Sequence, residues 1–223
     1  MIRVLLVAPD QPGVNSIPEV RTITALLRVT VLNGTVTAQD IYSEARHGKY
    51  TIIHLVTHGD DYSLALSNGE TLSPDDVAQI ARLCGAQLIL FNDCRSGVFS
   101  DYAVRHGVPF TIRCNVELKD PEAWKLPLSF YSLLAEQMAT GGALDIPAAW
   151  DGADTGEGLY GLAMRLEQFT AVSKLALEVA EQRAKLLRIE QALARTTQLA
   201  MLMLLMWIIG GGMLAWHVLS ALQ

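Results

Sequence analysis

Short apolar runs alternate with amphipathic segments along the first half of the chain. Five runs have the length and composition of β-strands, and they cover residues 2–7, 29–32, 50–56, 87–91 and 109–113. Helix-type patterns between them cover residues 17–28, 37–45, 74–83 and 98–105. Strands that alternate with helices are typical of a parallel, doubly wound sheet. The pattern therefore predicts an α/β fold of this kind.

Several local signals refine these elements. Ser16 is followed by Glu19, which predicts a capping box, and Thr37 is the expected cap of the next helix. Asn68-Gly69 predicts the turn of a small hairpin within residues 60–73. A longer helix is expected to open at Asp120-Pro121 and to end near residue 138. Residues 141–158 are rich in glycine and acid and are expected to form a surface hinge, so the globular domain is predicted to cover residues 1–153.

A continuous helical pattern begins at residue 159. A mostly apolar stripe recurs in steps of three and four, and it consists of Val172, Leu175, Val179, Gln182, Leu186, Ile189 and Leu193. The stripe predicts a helical stalk, with its linker, over residues 154–198. Such a stalk is compatible with a coiled coil that makes a homo-oligomer, or with a helix that packs on its own domain.

The last part of the chain has the composition of a membrane span. Residues 199–222 contain no charged side chain and predict one transmembrane helix. The alternative, a buried core helix, would have to hide apolar side chains on every face. Four basic residues precede this segment and none follows it, so the N-terminal domain is expected to face the cytoplasm. The sequence thus predicts a tail-anchored membrane protein.

Charge and cysteine content narrow the function classes. A net charge of −6 offers no basic patch, which argues against nucleic acid as a partner. Three cysteines, Cys84, Cys94 and Cys114, are too few and too scattered for a disulfide framework or a zinc site. The sequence indicates no metal or organic cofactor. The acidic residues at positions 60, 61 and 151–157 leave a calcium requirement as an open alternative. These acids also fit a solvated surface.

Candidate chemistry follows two predicted strands. His58-Gly59 ends the strand at residues 50–56, whereas the other two His-Gly pairs follow helices and fit helix caps. Cys94 follows the strand at residues 87–91 and precedes Ser96-Gly97. Either residue alone could be structural, because a cysteine after a strand is often just a small buried side chain. Since the carboxyl ends of parallel strands meet along one edge, the two together predict a thiol nucleophile and its imidazole base.

The order of motifs resembles the CHAT branch of the caspase-like cysteine proteases. The segments IIHLVTHGD, LALSNGETLS, LILFNDCRSG, VPFTIRCNVELKDPEAW, SFYSLLAEQ and ALDIPAAWDGA carry this resemblance over residues 2–153. It implies a caspase-like α/β sandwich with a mainly parallel central sheet. It also implies that His58 is the general base, that Cys94 attacks a peptide carbonyl, and that the N–H groups of Gly59 and Cys94 bind the oxyanion.

Three charged residues are candidates for substrate specificity. Where many relatives have a small residue before the nucleophile, this chain has Asp93, which is either a group that selects Arg or Lys or a surface acid. Arg113 ends the fifth strand and could face the same cleft, where it would select an acidic residue. Asp120 stands where relatives often carry an acid, but Asp before Pro is also a helix cap. The sequence leaves these alternatives open.

The functional expectation is a membrane-anchored cysteine endopeptidase that acts on a protein or peptide substrate. Members of the resembled family serve as effectors in bacterial defence or regulated cell death, and the stalk suggests activation by clustering. Two alternatives remain: a non-catalytic caspase-like scaffold, and a membrane-perturbing effector that assembles through its stalk and transmembrane helix.

Overall fold

The computed structural model describes residues 2–93, 96–116, 123–153 and 158–165, together with residues 179, 182, 185, 186 and 201. The chain divides into two compact units, Met1–Gln168 and Phe169–Gln223. In the described part, no helix has the length and apolar character needed to cross a membrane. The predicted transmembrane helix at residues 199–222 lies outside that part except for Met201, and most of the predicted stalk lies outside it as well.

The described strands form a central sheet and a small hairpin. The sheet strands are β1 (Arg3–Pro9), β2 (Arg28–Gly34), β3 (Ile52–Val56), β6 (Leu88–Asn92), β7 (Phe110–Cys114) and β8 (Tyr160–Met164). Their spatial order is β2-β1-β3-β6-β7-β8, and every neighbouring pair is parallel except β7 with β8. The hairpin strands are β4 (Leu64–Ala65) and β5 (Thr71–Leu72). The predicted mainly parallel α/β fold is confirmed.

Helices cover both faces of this sheet. The described helices are α1 (Ile17–Leu26), α2 (Ala38–His47), α3 (Pro74–Cys84), α4 (Gly97–Arg105), α5 (Lys125–Ala139) and α6 (Ile146–Ala153). Apolar side chains of α2, α3 and α4 form one buried cluster with the sheet, and those of α1, α5 and α6 form the other. Successive residues of β3 point to opposite faces, so Ile53 belongs to the first cluster and Ile52 to the second.

The predicted N-terminal cap is confirmed for helix α2 and wrong for helix α1. Thr37 forms a reciprocal capping box with Asp40 at the start of α2. Ser16 makes no side-chain capping hydrogen bond at the start of α1. The predicted box with Glu19 is wrong because Glu19 is buried and its carboxylate binds partners on β3 and β6 instead.

Two segments near the end of the first unit also differ from expectation. The predicted surface hinge contains α6, because Ile146, Ala149, Trp150 and Ala153 recur at helical spacing and are buried. The helical pattern expected from residue 159 begins instead with strand β8, which pairs antiparallel with β7 at the edge of the sheet. A short apolar run is compatible with either a strand or a helix. Here it forms a strand, because its backbone pairs with the edge of β7. The sheet therefore extends past Ala153.

Candidate active site

A pocket lies at the carboxyl edge of the parallel strands. The loop after β1, the ends of β3 and β6, and the segment before α5 line it. Its polar side chains include those of His58, Asn92 and Asp93, and Trp124 contributes an aromatic wall. The pairing of Val56 with Asn92 places the ends of β3 and β6 side by side. The sheet topology therefore brings the expected strand ends to one cavity.

The imidazole of His58 is oriented by the main chain of the loop after β1. Its Nε2 lies 2.9 Å from the carbonyl oxygen of Pro12. A carbonyl oxygen can only accept, so Nε2 is the protonated nitrogen of this hydrogen bond. In the neutral ring Nδ1 then keeps its lone pair. This arrangement makes Nδ1 the nitrogen that can take up a proton.

Gln11 holds the backbone of His58 in place. Its Oε1 accepts hydrogen bonds from the His58 N–H at 2.8 Å and from the Thr57 hydroxyl at 3.1 Å. Its Nε2 donates to the carbonyl of Ala65 at 2.6 Å, and the N–H of Ala65 donates to the carbonyl of His58 at 2.8 Å. Gln11 and Pro12 were missed as site residues. Their position directly after β1 could have indicated them, because β1 and β3 are parallel neighbours and the residues that follow them lie at the same edge of the sheet.

Gly59 allows the end of β6 to approach closely. A Cβ atom at this position would lie 2.3 Å from Oδ2 of Asp93 and 2.7 Å from Cδ2 of Leu64. Any larger residue would collide with both neighbours. Among the described residues, the N–H of Gly59 donates no backbone hydrogen bond.

Asp93 lies inside the pocket and is only 4% exposed, so it is not a surface acid. Neither carboxylate oxygen makes a hydrogen bond of standard geometry with a described residue. Burial raises the pKa of Asp93 to about 7, and the nearby Ser96 hydroxyl opposes part of that rise. The pocket therefore contains a buried carboxyl group whose ionised form is disfavoured by burial.

The nucleophile candidate itself lies outside the described residues. This holds for Cys94 and Arg95, and also for the specificity candidate Asp120. Their neighbours Asp93 and Ser96 are described, and the Ser96 hydroxyl accepts a hydrogen bond from the N–H of Cys114 at 3.1 Å.

The other two cysteines lie within the packed core. Cys84 and Cys114 are both buried, and burial raises the pKa of the Cys84 thiol. The thiol of Cys114 donates to the carbonyl of Val116 at 2.9 Å. Buried thiols of this kind are poor nucleophiles.

Arg113 does not line the pocket. Its guanidinium forms an ion pair of 2.9 Å with Asp101 on α4, and both side chains are partly exposed. The acidic groups Glu19 and Asp93 line the pocket instead. In the described part of the chain, no group of three or more His, Cys, Asp or Glu side chains is arranged to hold a metal ion.

A buried polar cluster lies next to this pocket, and two of its members, Glu19 and Asn92, line the pocket. Glu19 of α1 is 5% exposed, and both of its oxygens accept from Nδ2 of Asn92, at 3.0 and 2.8 Å. Nε2 of the fully buried His54 lies 3.0 Å from Oε1 of Glu19, although not at a hydrogen-bond angle. The ring of Tyr131 stacks on His54. Sequence reasoning missed this cluster, whose only signal is one histidine inside the apolar run of β3.

Replacing Glu19 with alanine is expected to lower the free energy of unfolding by about 3 kcal/mol, because the substitution leaves the Asn92 amide buried without its acceptor and removes the carboxylate beside the buried His54. Urea-induced unfolding of the full-length protein measures this. Glu136→Ala removes an exposed carboxylate from α5 and is the matched control, with an expected change below about 0.5 kcal/mol. Equal effects of the two substitutions would contradict the assignment of this cluster.

Comparison with known proteins identifies the fold. No protein-family model and no curated protein matches the chain. Among solved structures, the Arg-specific cysteine proteinase gingipain R aligns with a TM-score of 0.51 and 13% identity, over 68% of this chain and 40% of its own. The chain thus spans less than half the length of that protein.

Two response regulator structures align less well. RcsB of Salmonella typhimurium has a TM-score of 0.37 at 7% identity and covers 67% of this chain and 65% of its own. The response regulator domain of Thermotoga maritima CheB has a TM-score of 0.35 at 14% identity and covers 67% of this chain and 96% of its own. The gingipain R likeness shows the fold alone, which is an α/β fold with a mainly parallel central sheet.

Proposed function

We propose that the chain is a caspase-like cysteine endopeptidase in which His58 is the general base and Cys94 is the nucleophile. The observation that carries this proposal is the orientation of His58. Its Nε2 is bound to the Pro12 carbonyl, which leaves Nδ1 able to accept a proton at the carboxyl edge of the sheet. Asp93, the residue before Cys94, packs against Gly59, the residue after His58. Both contacts support a thiol and a base at one site.

In this mechanism the Cys94 sulfur attacks the carbonyl carbon of a peptide bond while its proton moves to Nδ1 of His58. The N–H groups of Gly59 and Cys94 stabilise the negative oxygen of the tetrahedral intermediate. The intermediate collapses, the C–N bond breaks, and His58 returns the proton to the leaving amine. A water molecule, deprotonated by His58, then hydrolyses the thioester and regenerates the thiol.

Asp93 is proposed to select a substrate with Arg or Lys before the cleaved bond. Its carboxylate is buried in the pocket and makes no hydrogen bond of standard geometry with a described residue. Glu19 is a second acidic residue of the pocket lining. Arg113, the candidate for selecting an acidic side chain, is paired with Asp101. Asp120 keeps its two proposed roles, a specificity acid or a helix cap.

The wider role proposed is that of a cytoplasm-facing effector anchored by residues 199–222 and activated by clustering through residues 154–198. Its proposed setting is bacterial defence or regulated cell death. Two described positions of the apolar stripe, Val179 and Leu186, are exposed. This exposure supports the proposal that the stripe packs against a second copy of the chain. Crosslinking in membranes tests this, and finding only monomer would exclude clustering.

Peptide cleavage tests the enzymatic proposal. The full-length protein, reconstituted in lipid vesicles at high density, is incubated with a peptide library, and the new termini are identified by mass spectrometry. We expect cleavage after Arg or Lys in wild type and in Cys84→Ala, which removes a thiol buried away from the pocket. Cys94→Ala should cleave nothing, because no other group supplies the nucleophile. Cleavage by Cys94→Ala equal to wild type would refute the proposal.

A further inference from the structure

Tyr160 connects strand β8 to two residues that line the pocket. It begins β8 and is buried. Its hydroxyl lies 2.6 Å from Oδ1 of Asn92 and 2.8 Å from the carbonyl oxygen of Ala123, and its one proton is shared between these two acceptors. Asn92 and Ala123 both line the pocket. One hydroxyl therefore ties β8 to two walls of the cavity.

The amide of Asn92 is held at both of its ends. Its nitrogen donates to the two oxygens of Glu19, and its oxygen accepts from Tyr160. The side chain cannot rotate without breaking buried hydrogen bonds, which are costly to leave unmade. Asn92 closes β6 and directly precedes Asp93 and Cys94 in sequence. Because the Asn92 side chain is held in place, the backbone is also held at the point where the chain leaves β6 towards Cys94.

We propose that Tyr160 is a positioning residue: through Asn92 it holds the turn that carries Cys94 in its reactive placement. The catalytic part of this inference rests on the proposed function. Rates of nucleophilic attack fall steeply when the reacting atom is displaced by as little as about 1 Å.

Tyr131 provides a matched control. It is a fully buried tyrosine of α5 whose hydroxyl has no hydrogen-bond partner within the described residues. Tyr160→Phe and Tyr131→Phe each remove one buried hydroxyl and keep the ring. Only the first of these hydroxyls is bonded to Asn92. A difference between the two variants therefore reports the hydrogen bond rather than the loss of a phenol.

The experiment uses the full-length protein and two readouts. Amide hydrogen exchange of peptides covering residues 92–97 reports the turn without requiring catalysis. Inactivation by an acyloxymethyl ketone peptide with Arg beside the warhead separates probe affinity from the rate constant of covalent reaction. In Tyr160→Phe we expect exchange in this segment to rise about tenfold or more. The rate constant of covalent reaction should fall about tenfold, with the affinity unchanged. Tyr131→Phe should match wild type in both.

The outcomes separate this inference from the proposed function. Exchange in Tyr160→Phe equal to wild type overturns the inference, and so does faster exchange with an unchanged rate constant. If wild type itself does not react with the probe, the proposed function fails. In that case hydrogen exchange alone decides whether Tyr160 holds the turn. Faster exchange of residues 92–97 in Tyr160→Phe than in Tyr131→Phe is then the supporting result.

Discussion

His58→Ala is expected to slow covalent labelling of Cys94 by about 10²–10⁴-fold, the usual contribution of a positioned general base. The imidazole is fixed by the Pro12 carbonyl, and its Nδ1 is the proposed acceptor of the thiol proton. Alanine removes that acceptor without disturbing the core, because the side chain of His58 is exposed. The second-order rate constant for an acyloxymethyl ketone peptide measures the loss.

His106→Ala is the control for this substitution. His106 also precedes a glycine and is also exposed, but it caps α4 and stacks on Tyr102 instead of following a strand. Its replacement should leave the labelling rate within about twofold of wild type, as expected for a surface position outside the site. If His58→Ala and His106→Ala labelled at the same rate, His58 would not be the base.

Asp93→Asn is expected to stabilise the fold at neutral and alkaline pH. The pKa of Asp93 is raised to about 7 by burial, whereas an unfolded chain gives aspartate a pKa of about 3.9. The folded state therefore binds the proton more tightly, and its stability falls as pH rises from about 4 to about 7. The raised pKa corresponds to a loss on the order of 4 kcal/mol at full ionisation. Asparagine carries no such charge.

Unfolding by urea, measured across this pH range, tests the prediction by difference. The informative quantity is the free energy of unfolding of wild type minus that of Asp93→Asn, because the subtraction removes the contributions that the two proteins share. That difference should be near zero at about pH 4 and should grow to several kcal/mol in favour of the variant above about pH 7. A difference that does not change with pH would mean that Asp93 is solvated or paired in the folded protein.

The regular part of the fold could be predicted from the sequence because its signals are local. The alternation of apolar runs with helix patterns gave the five parallel strands, and Thr37 and Asn68-Gly69 marked a cap and a turn that the structure contains. The position of His58 after β3 followed from the same pattern. These features depend on neighbours in sequence, which is where propensity and periodicity act.

The contacts that build the site could not be predicted in this way. Pro12 and His58 are 46 positions apart, and Asn92 and Glu19 are 73 apart, so their hydrogen bonds depend on strand order rather than local pattern. Glu19 fits a capping box with Ser16, but the buried amide of Asn92 is the stronger competitor for its carboxylate. Strand β8 was missed because its short apolar run suits either structure until the edge of β7 is known.

The most direct test of the central claim is to map the cysteine that an electrophilic peptide modifies. Full-length protein in vesicles is treated with the Arg acyloxymethyl ketone probe, and the modified residue is assigned by mass spectrometry among Cys84, Cys94 and Cys114. We predict modification of Cys94 alone, because the other two thiols are buried. Equal modification of all three, or none at Cys94 in clustered protein, would contradict the account and favour a non-catalytic scaffold.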